Sequence, residues 1–263
     1  MKIHVIGCGE AFDQEYGNTS FLFSGKDLPT ILFDCGYQTP ERLWKLKPQE
    51  QKLDAVCLTH LHADHCFGLV PLLIRFWEEN RTRKLMIFGP KGTRNHIQEL
   101  LDLGYPGLRK KLDFELEWQE WTINAEIIEW RGLSFRTAKT VHTLINHSIR
   151  VDIPGDPHAS FGISGDGQIT RETRVLFADV GLLMQEIYTL RPRRYAVHAD
   201  LKTVETYLND SLIKKIAGTH FSRTENKKTI QRLKQLEESD PRWVALAPDT
   251  VFTYRKPTIG WTT

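Results

Sequence analysis

One short segment limits what this chain can fold into more than any property of the whole: Thr59-His60-Leu61-His62-Ala63-Asp64-His65. It places three imidazoles and one carboxylate within six positions, in a chain with only ten histidines. A polar surface loop has no reason to gather them. The apolar run Ala55–Leu58 feeds straight into the segment and reads as a short buried strand. The cluster therefore sits at a strand's end, where a layered α/β fold collects its functional loops. Such a turn sends alternate residues to one side. His60 and His62 are read as sharing one metal, while Asp64 and His65 reach a second. Neutral imidazole and carboxylate suit zinc, and also manganese or iron.

Four ligands are too few for two metals, so partners must come from later in the chain. His142 lies in Thr140-Val141-His142-Thr143, after a strand-rich stretch. Asp166 lies in Ser164-Gly165-Asp166-Gly167, a tight turn after an apolar run. His220 lies in Gly218-Thr219-His220-Phe221-Ser222, again at a strand's end. Taken singly, each reads as a turn or capping residue. Beside the first cluster, each becomes a candidate ligand.

The rest of the chain reads as one α/β domain over residues 1–263. Strand-like runs are Lys2–Ile6, Ser20–Phe23, Thr30–Asp34, Leu85–Phe88, much of Phe114–Thr140, Ile149–Ile153, Phe161–Ser164, Leu182–Gln185, Trp243–Leu246 and Val251–Tyr254. Helical spacing marks Leu69–Glu79, Gly92–Leu103, Leu201–Asn209 and Lys227–Glu238. Thr39–Leu46 reads as a short helix with Thr39 as its N-cap and Pro40 in first place. Strands followed by helices occur twice, with a seam near 112–128. Two packed sheets with helices outside would bury such strands on both faces.

Composition narrows the partners. The net charge is only +2, so no excess of positive charge announces a nucleic-acid surface, and phosphate recognition must be local. Cys8, Cys35, Cys57 and Cys66 crowd the first quarter of the chain without a C-x-x-C pair. They read as reduced thiols in a cytoplasmic protein. No apolar stretch approaches the roughly 18 residues of a membrane helix, so no membrane partner is expected.

With these residues in hand, the chain resembles the ribonuclease Z branch of the metallo-β-lactamase superfamily. The matching segments are Asn18-Thr19-Ser20, Leu32-Phe33-Asp34-Cys35-Gly36, Thr59 through His65 with Gly68-Leu69, Gly89-Pro90-Lys91-Gly92, His142 with Asn146 and Arg150, Ser164-Gly165-Asp166, and Thr219-His220-Phe221-Ser222. The resemblance implies an αββα sandwich of two mixed β-sheets with helices on both outer faces. It implies one metal on His60, His62 and His142, another on Asp64, His65 and His220, and Asp166 bridging them. It also suggests a homodimer.

Two further segments concern proton transfer. Gln185-Glu186-Ile187-Tyr188 stands where the branch has His-Glu-Ala-Thr, and His198-Ala199-Asp200 where it has His-Ser-Thr. By resemblance, Glu186 orients and charge-stabilises His198, and His198 donates a proton. Gly167 departs from the branch's Thr. His142 and Asp166 are only about two dozen residues apart, which leaves no room for the long arm with which that branch grips tRNA.

The expected activity is a dinuclear metal-dependent hydrolase, a phosphodiesterase acting on a small or RNA-derived phosphodiester. Two divalent metals, zinc first and manganese or iron next, lower the pKa of a shared water from about 15.7 toward roughly 7 and so supply hydroxide. Asp64 acts both as a ligand and beside that nucleophile, and His198 protonates the leaving oxygen. The alternatives are tRNA 3′-processing endoribonuclease, another hydrolysis on the same fold, and a metal-bound binding protein. Arg191, Arg193 and Arg194 offer a phosphate contact or a solvated loop. His158, in the short arm region, is either an overhanging selector or a surface histidine. Cys66 reads as filler behind the ligand loop.

Overall fold

The computed structural model describes residues 1–46, 52–121, 127–193, 197–255 and 260–263. The chain opens with β1 (Lys2–Gly7), β2 (Ser20–Gly25) and β3 (Leu28–Phe33), then α1 (Thr39–Lys45) and β4 (Ala55–Cys57). A four-residue helix, α2 (Ala63–Cys66), follows, with α3 (Leu69–Glu78), β5 (Leu85–Pro90), α4 (Thr93–Gly104) and β6 (Leu116–Trp121). The second half runs β7 (Ile128–Trp130), β8 (Leu133–Lys139), β9 (His147–Ile153), β10 (Asp156–Ile163), α5 (Arg171–Phe177) and β11 (Leu182–Glu186). It ends with α6 (Leu201–Asn209), β12 (Ile216–Thr219), α7 (Asn226–Ser239), β13 (Trp243–Val244), β14 (Val251–Arg255) and β15 (Gly260–Thr262).

The strands form two mixed sheets. One has the order β15-β14-β1-β2-β3-β4-β5-β6 and the other β13-β12-β11-β10-β9-β8-β7. Side chains alternate across each strand, so one strand feeds two layers. Phe21, Phe23, Ile31 and Phe33 point between the sheets, where Phe23 stacks on Phe161 at 5.0 Å. Leu22 and Leu32, between them in sequence, face Leu43, Leu69, Leu72, Leu73 and Ile97 of the helices on the outer side. On the far side, Leu201, Val204 and Leu208 of α6 and Ile230 and Leu233 of α7 join the core of the second sheet. This is the αββα sandwich that the resemblance implies.

Details differ from expectation. Gln38, not Thr39, precedes α1, because Thr39 and Pro40 are already inside the buried first turn. The expected last strand, β14, is followed by β15, which pairs with it. The helix α5 has no apolar stripe long enough to announce it. Its signal is a capping box, with the Thr170 and Thr173 hydroxyls exchanging bonds with each other's backbone. The chain passes from the first sheet to the second between Trp121 and Ile128, and 122–126 of the expected seam lie outside the described residues.

The strands β3 to β6 run parallel, as do β10 to β13. The C-terminal ends of β4, β10, β11 and β12 release the segments carrying His60, Asp166, Glu186 and His220. Ligands of open α/β sheets bind at such ends. By contrast, His158 is an exposed residue early in β10. At about 3.3 Å per residue it lies far from the Asp166 end of that strand, so it does not overhang the cluster.

Candidate metal centre

Main-chain strain marks the site first. Asp34 and His220 both adopt the left-handed region at φ 55°, which costs a residue other than glycine some free energy and persists where surroundings demand it. His220 is pinned by its amide, which donates to the Cys8 carbonyl at 2.7 Å. The Asp166 turn is equally constrained. Its amide donates to Asn146 Oδ1 at 3.1 Å, and Gly165 at φ 59° leaves no room for a Cβ beside that same oxygen. Gly167 follows at φ 117°, a conformation closed to the Thr that the resemblance led one to expect, and a Cβ there would strike Thr140.

All seven sequence-chosen ligands come together, in two groups. The first is His60, His62 and His142. His60 Nε2 lies 3.0 Å from His62 Nδ1, and His142 Nε2 lies 3.1 Å from the same atom. The second is Asp64, His65, Asp166 and His220. Asp64 Oδ2 is 3.4 Å from both His65 Nε2 and His220 Nε2. Asp166 faces both groups: Oδ1 is 3.4 Å from His65 Nε2, and Oδ2 is 3.2 Å from His220 Nε2 and 3.9 Å from His60 Nε2 and His142 Nε2. His60 and His62 leave the β4 loop, whereas Asp64 and His65 sit on α2 rather than on the same loop.

The outward nitrogens decide whether these groups fit a cation. His60 Nδ1 donates to Thr59 Oγ1 at 3.0 Å, and that hydroxyl donates in turn to Asp34. His65 Nδ1 donates to Asp34 Oδ2 at 2.8 Å. His142 Nδ1 donates to the Val197 carbonyl at 3.0 Å, and His62 Nε2 reaches Thr143 Oγ1 at 3.3 Å. His220 Nδ1 faces Glu186 Oε1 at 3.3 Å. With the outward protons of His60, His65 and His142 given to oxygens, their inward nitrogens carry lone pairs that point into the two groups. His65 Nε2 and Asp166 Oδ1 are buried without any hydrogen-bond partner. Such a set is satisfied by divalent cations, so the residues fit the implied metals.

The electrostatics differ between the two groups. Burial, then the neighbouring imidazole of His65, holds His60 well below the ordinary histidine range. His62 is lowered by burial and by His142. Burial pushes Asp64 and Asp166 up, but His65 and His220 outweigh it and hold both carboxyls well below the usual range. Burial alone would lower His65 and His220, but Asp166 and the neighbouring carboxylates outweigh it and hold both imidazoles well above the ordinary range, so the second group is a mutually attracting cluster of carboxylates and imidazoles. Cys66 is buried, and burial pushes its thiol up to about 12, which fits the reading as filler.

Beside the centre, His198 Nδ1 donates to Glu186 Oε1 at 2.5 Å. Glu186 is fully buried, and its Oε2 accepts from the amides of Gly167 at 2.7 Å and Ala199 at 2.9 Å. Burial alone would lower His198, but Glu186 outweighs it and raises this imidazole above the ordinary range. Asp166, Glu186, His198 and His220 also cluster, but the amides and His198 already occupy Glu186, which makes it a link rather than a ligand. The Arg191 and Arg193 side chains are exposed, and Arg193 pairs with Glu225 at 2.6 Å, as a solvated loop would. Arg194 lies outside the described residues.

Sequence reasoning passed over Asp34, Thr59 and Thr143 as site residues. The available signal was an aspartate closing an apolar strand, in Phe33-Asp34-Cys35-Gly36, where no turn chemistry demanded one.

Comparison with known proteins follows this geometry. The human tRNase Z short form (ELAC1) superposes with a TM-score of 0.79 at 19% identity, covering 96% of this chain and 99% of that one. The metallo-β-lactamase fold protein YhfI of Bacillus subtilis gives 0.76 at 18%, covering 95% and 97%. The chain therefore has the metallo-β-lactamase fold. Ribonuclease Z of Borreliella burgdorferi is 33% identical over 152 residues, 57% of this chain and 46% of that protein, so the chain spans about half the length of this curated relative. A family model matches far more, residues 1–237, under the description Anti-Pycsar protein Apyc1, and the chain belongs to that family.

Proposed function

We propose that the chain is a dinuclear metal-dependent phosphodiesterase acting on a small or RNA-derived phosphodiester. The observation that carries this reading is the position of His198: an imidazole tied through Nδ1 to a buried carboxylate, directly beside two groups of metal donors. Simple metal binding needs no such residue, whereas expelling an alkoxide does.

In this reading His60, His62 and His142 would hold one ion and Asp64, His65 and His220 the other, with Asp166, which faces both groups, available to either. Bound divalent ions supply Lewis acidity, which makes hydroxide available at neutral pH and offsets charge on phosphate oxygens. The ions are zinc, with manganese and iron as alternatives that the same donors accept. Asp64 anchors its ion and faces the attacking water. His198 uses Nε2 to protonate the departing oxygen, because Nδ1 is committed to Glu186. The segment between His142 and Asp166 is filled by the β9–β10 hairpin, which leaves no arm there to grip a large RNA and favours a small diester such as a cyclic nucleotide. We place the activity in one domain spanning 1–263, in a cytoplasmic homodimer. Among the described residues no helix is long and apolar enough to cross a membrane.

The relatives named ribonuclease Z favour a second reading, 3′ processing of tRNA. The test is side by side, with zinc- or manganese-loaded protein given bis(p-nitrophenyl) phosphate and a precursor tRNA carrying a 3′ trailer. Cleavage of the small diester without a defined tRNA product supports the first reading. A single cut at the end of the acceptor stem moves the ribonuclease reading into first place. Full metal occupancy with no turnover on either leaves a binding protein.

A further inference from the structure

The residue at 188 is a tyrosine, two positions beyond Glu186 in Gln185-Glu186-Ile187-Tyr188. Its ring lies flat on His198, with centroids 4.2 Å apart and planes 19° from parallel. It also leans toward His220, at 5.9 Å and 33°. The backbone fixes this arrangement from two sides. The Tyr188 amide donates to the Ala199 carbonyl at 2.9 Å, and its carbonyl accepts from the Ser222 amide at 3.1 Å. Its neighbours continue both seams: the Ile187 amide donates to the Thr219 carbonyl, and the Leu201 amide donates to the Thr189 carbonyl. Tyr188 is thus clamped between the segment bearing His198 and the segment bearing His220.

A single hydrogen bond from Nδ1 to Glu186 sets where one edge of the His198 ring sits, but leaves the ring free to rock about that bond. Among the described residues, three rings lie against the His198 ring, and His220, nearly parallel to it, is the most distant at 5.7 Å and 20°. His142 meets the His198 ring at 66° and 5.1 Å, and Tyr188 covers its face. Only a flat ring of the size of Tyr188 spans the whole face of an imidazole. An aliphatic side chain touches it at a point.

We propose that Tyr188 is a positioning residue for proton donation: its ring holds the His198 plane so that Nε2 meets the leaving oxygen. The inference rests on the phosphodiesterase reading above and on His198 as the acid. It requires the aromatic face of Tyr188 and not the hydroxyl. A positioned acid contributes about 10²–10⁴-fold, and the effect grows as the leaving group worsens.

The test compares the metal-loaded wild-type protein with Tyr188→Phe, Tyr188→Leu and His198→Ala. The substrates are methyl aryl phosphodiesters running from p-nitrophenyl to unsubstituted phenyl. Tyr188→Leu is expected to lose about tenfold in kcat on the phenyl ester, part of the acid's contribution. It should change less than about twofold on the p-nitrophenyl ester, with KM and metal content unchanged. Tyr188→Phe should behave as wild type on both. Equal losses on the two esters, loss of metal, or a wild-type phenyl rate in Tyr188→Leu would overturn the role of Tyr188. So would a Tyr188→Phe defect as large as that of Tyr188→Leu. His198→Ala separates the two levels of inference. If it shows no leaving-group dependence, the acid reading fails and the role of Tyr188 falls with it. If it does and Tyr188→Leu does not, Tyr188 alone is excluded.

Discussion

One oxygen of Glu186 serves two imidazoles: Oε1 lies 2.5 Å from His198 Nδ1 and 3.3 Å from His220 Nδ1. The carboxylate proposed to orient the acid therefore also faces a candidate metal ligand. Glu186→Gln should impair both. Partners of this kind contribute about 10–100-fold in metal affinity. We expect weaker binding at the His220 site, measured by chelator competition, together with slower turnover when the metal is saturating. Unchanged affinity would confine Glu186 to the acid.

His198→Ala should separate these effects. It removes no donor from either metal group, so both ions are retained. Turnover should fall by about 10²–10⁴-fold on esters with poor leaving groups and far less on p-nitrophenyl esters. Metal content and the ratio of the two rates check this together. Equal losses would point to a binding role instead.

Asp34 accepts from the Thr59 amide and hydroxyl and from His65 Nδ1, so it supports two ligand histidines from below. Asp34→Ala should lower metal affinity by about 10–100-fold, with no ligand altered. Titration of the stripped protein with zinc checks it. An unchanged dissociation constant would make Asp34 a strand-end residue only.

His147 provides a pH signature away from the metals. Burial, helped by Lys139, lowers it from 6.5 to about 4. The unfolded chain thus binds more protons than the folded one between those values. The stabilisation is fully present above about 6.5 and is lost as pH falls toward 4. It amounts to at most about 3 kcal/mol. Urea midpoints of metal-stripped protein at pH 5 and pH 7.5 should differ less in His147→Gln than in wild type. An identical pH slope in the two would exclude His147 as a contributor.

The seven candidate ligands were legible in sequence because three histidines and an aspartate fall within six positions, and His142, Asp166 and His220, each after an apolar run, stand out only beside that cluster. The supporting oxygens were not. Thr143 and the Val197 carbonyl become partners only when the fold brings them beside His62 and His142, and Thr59, next to His60 in sequence, gains its link to Asp34 only across the β3–β4 pair. The resemblance implied the sandwich, and strands such as Ser20–Gly25 are buried on both faces as it requires, whereas α5 and β15 are too short for periodicity to mark. Gly167 looked like a departure from the family pattern until its φ of 117° showed why only glycine fits there.

The pairing of β1 with β14, and the bond from the His220 amide to Cys8, have a consequence for synthesis. A ribosome adds about 5–20 residues per second. The first histidines therefore wait roughly 10–30 s for His220, and the first sheet waits longer still for its outer hairpin. During that interval the nascent chain carries an incomplete set of ligands. Capture of the ion assigned to Asp64, His65 and His220 would thus report that synthesis has passed residue 220, and a product stalled before it would lack that site.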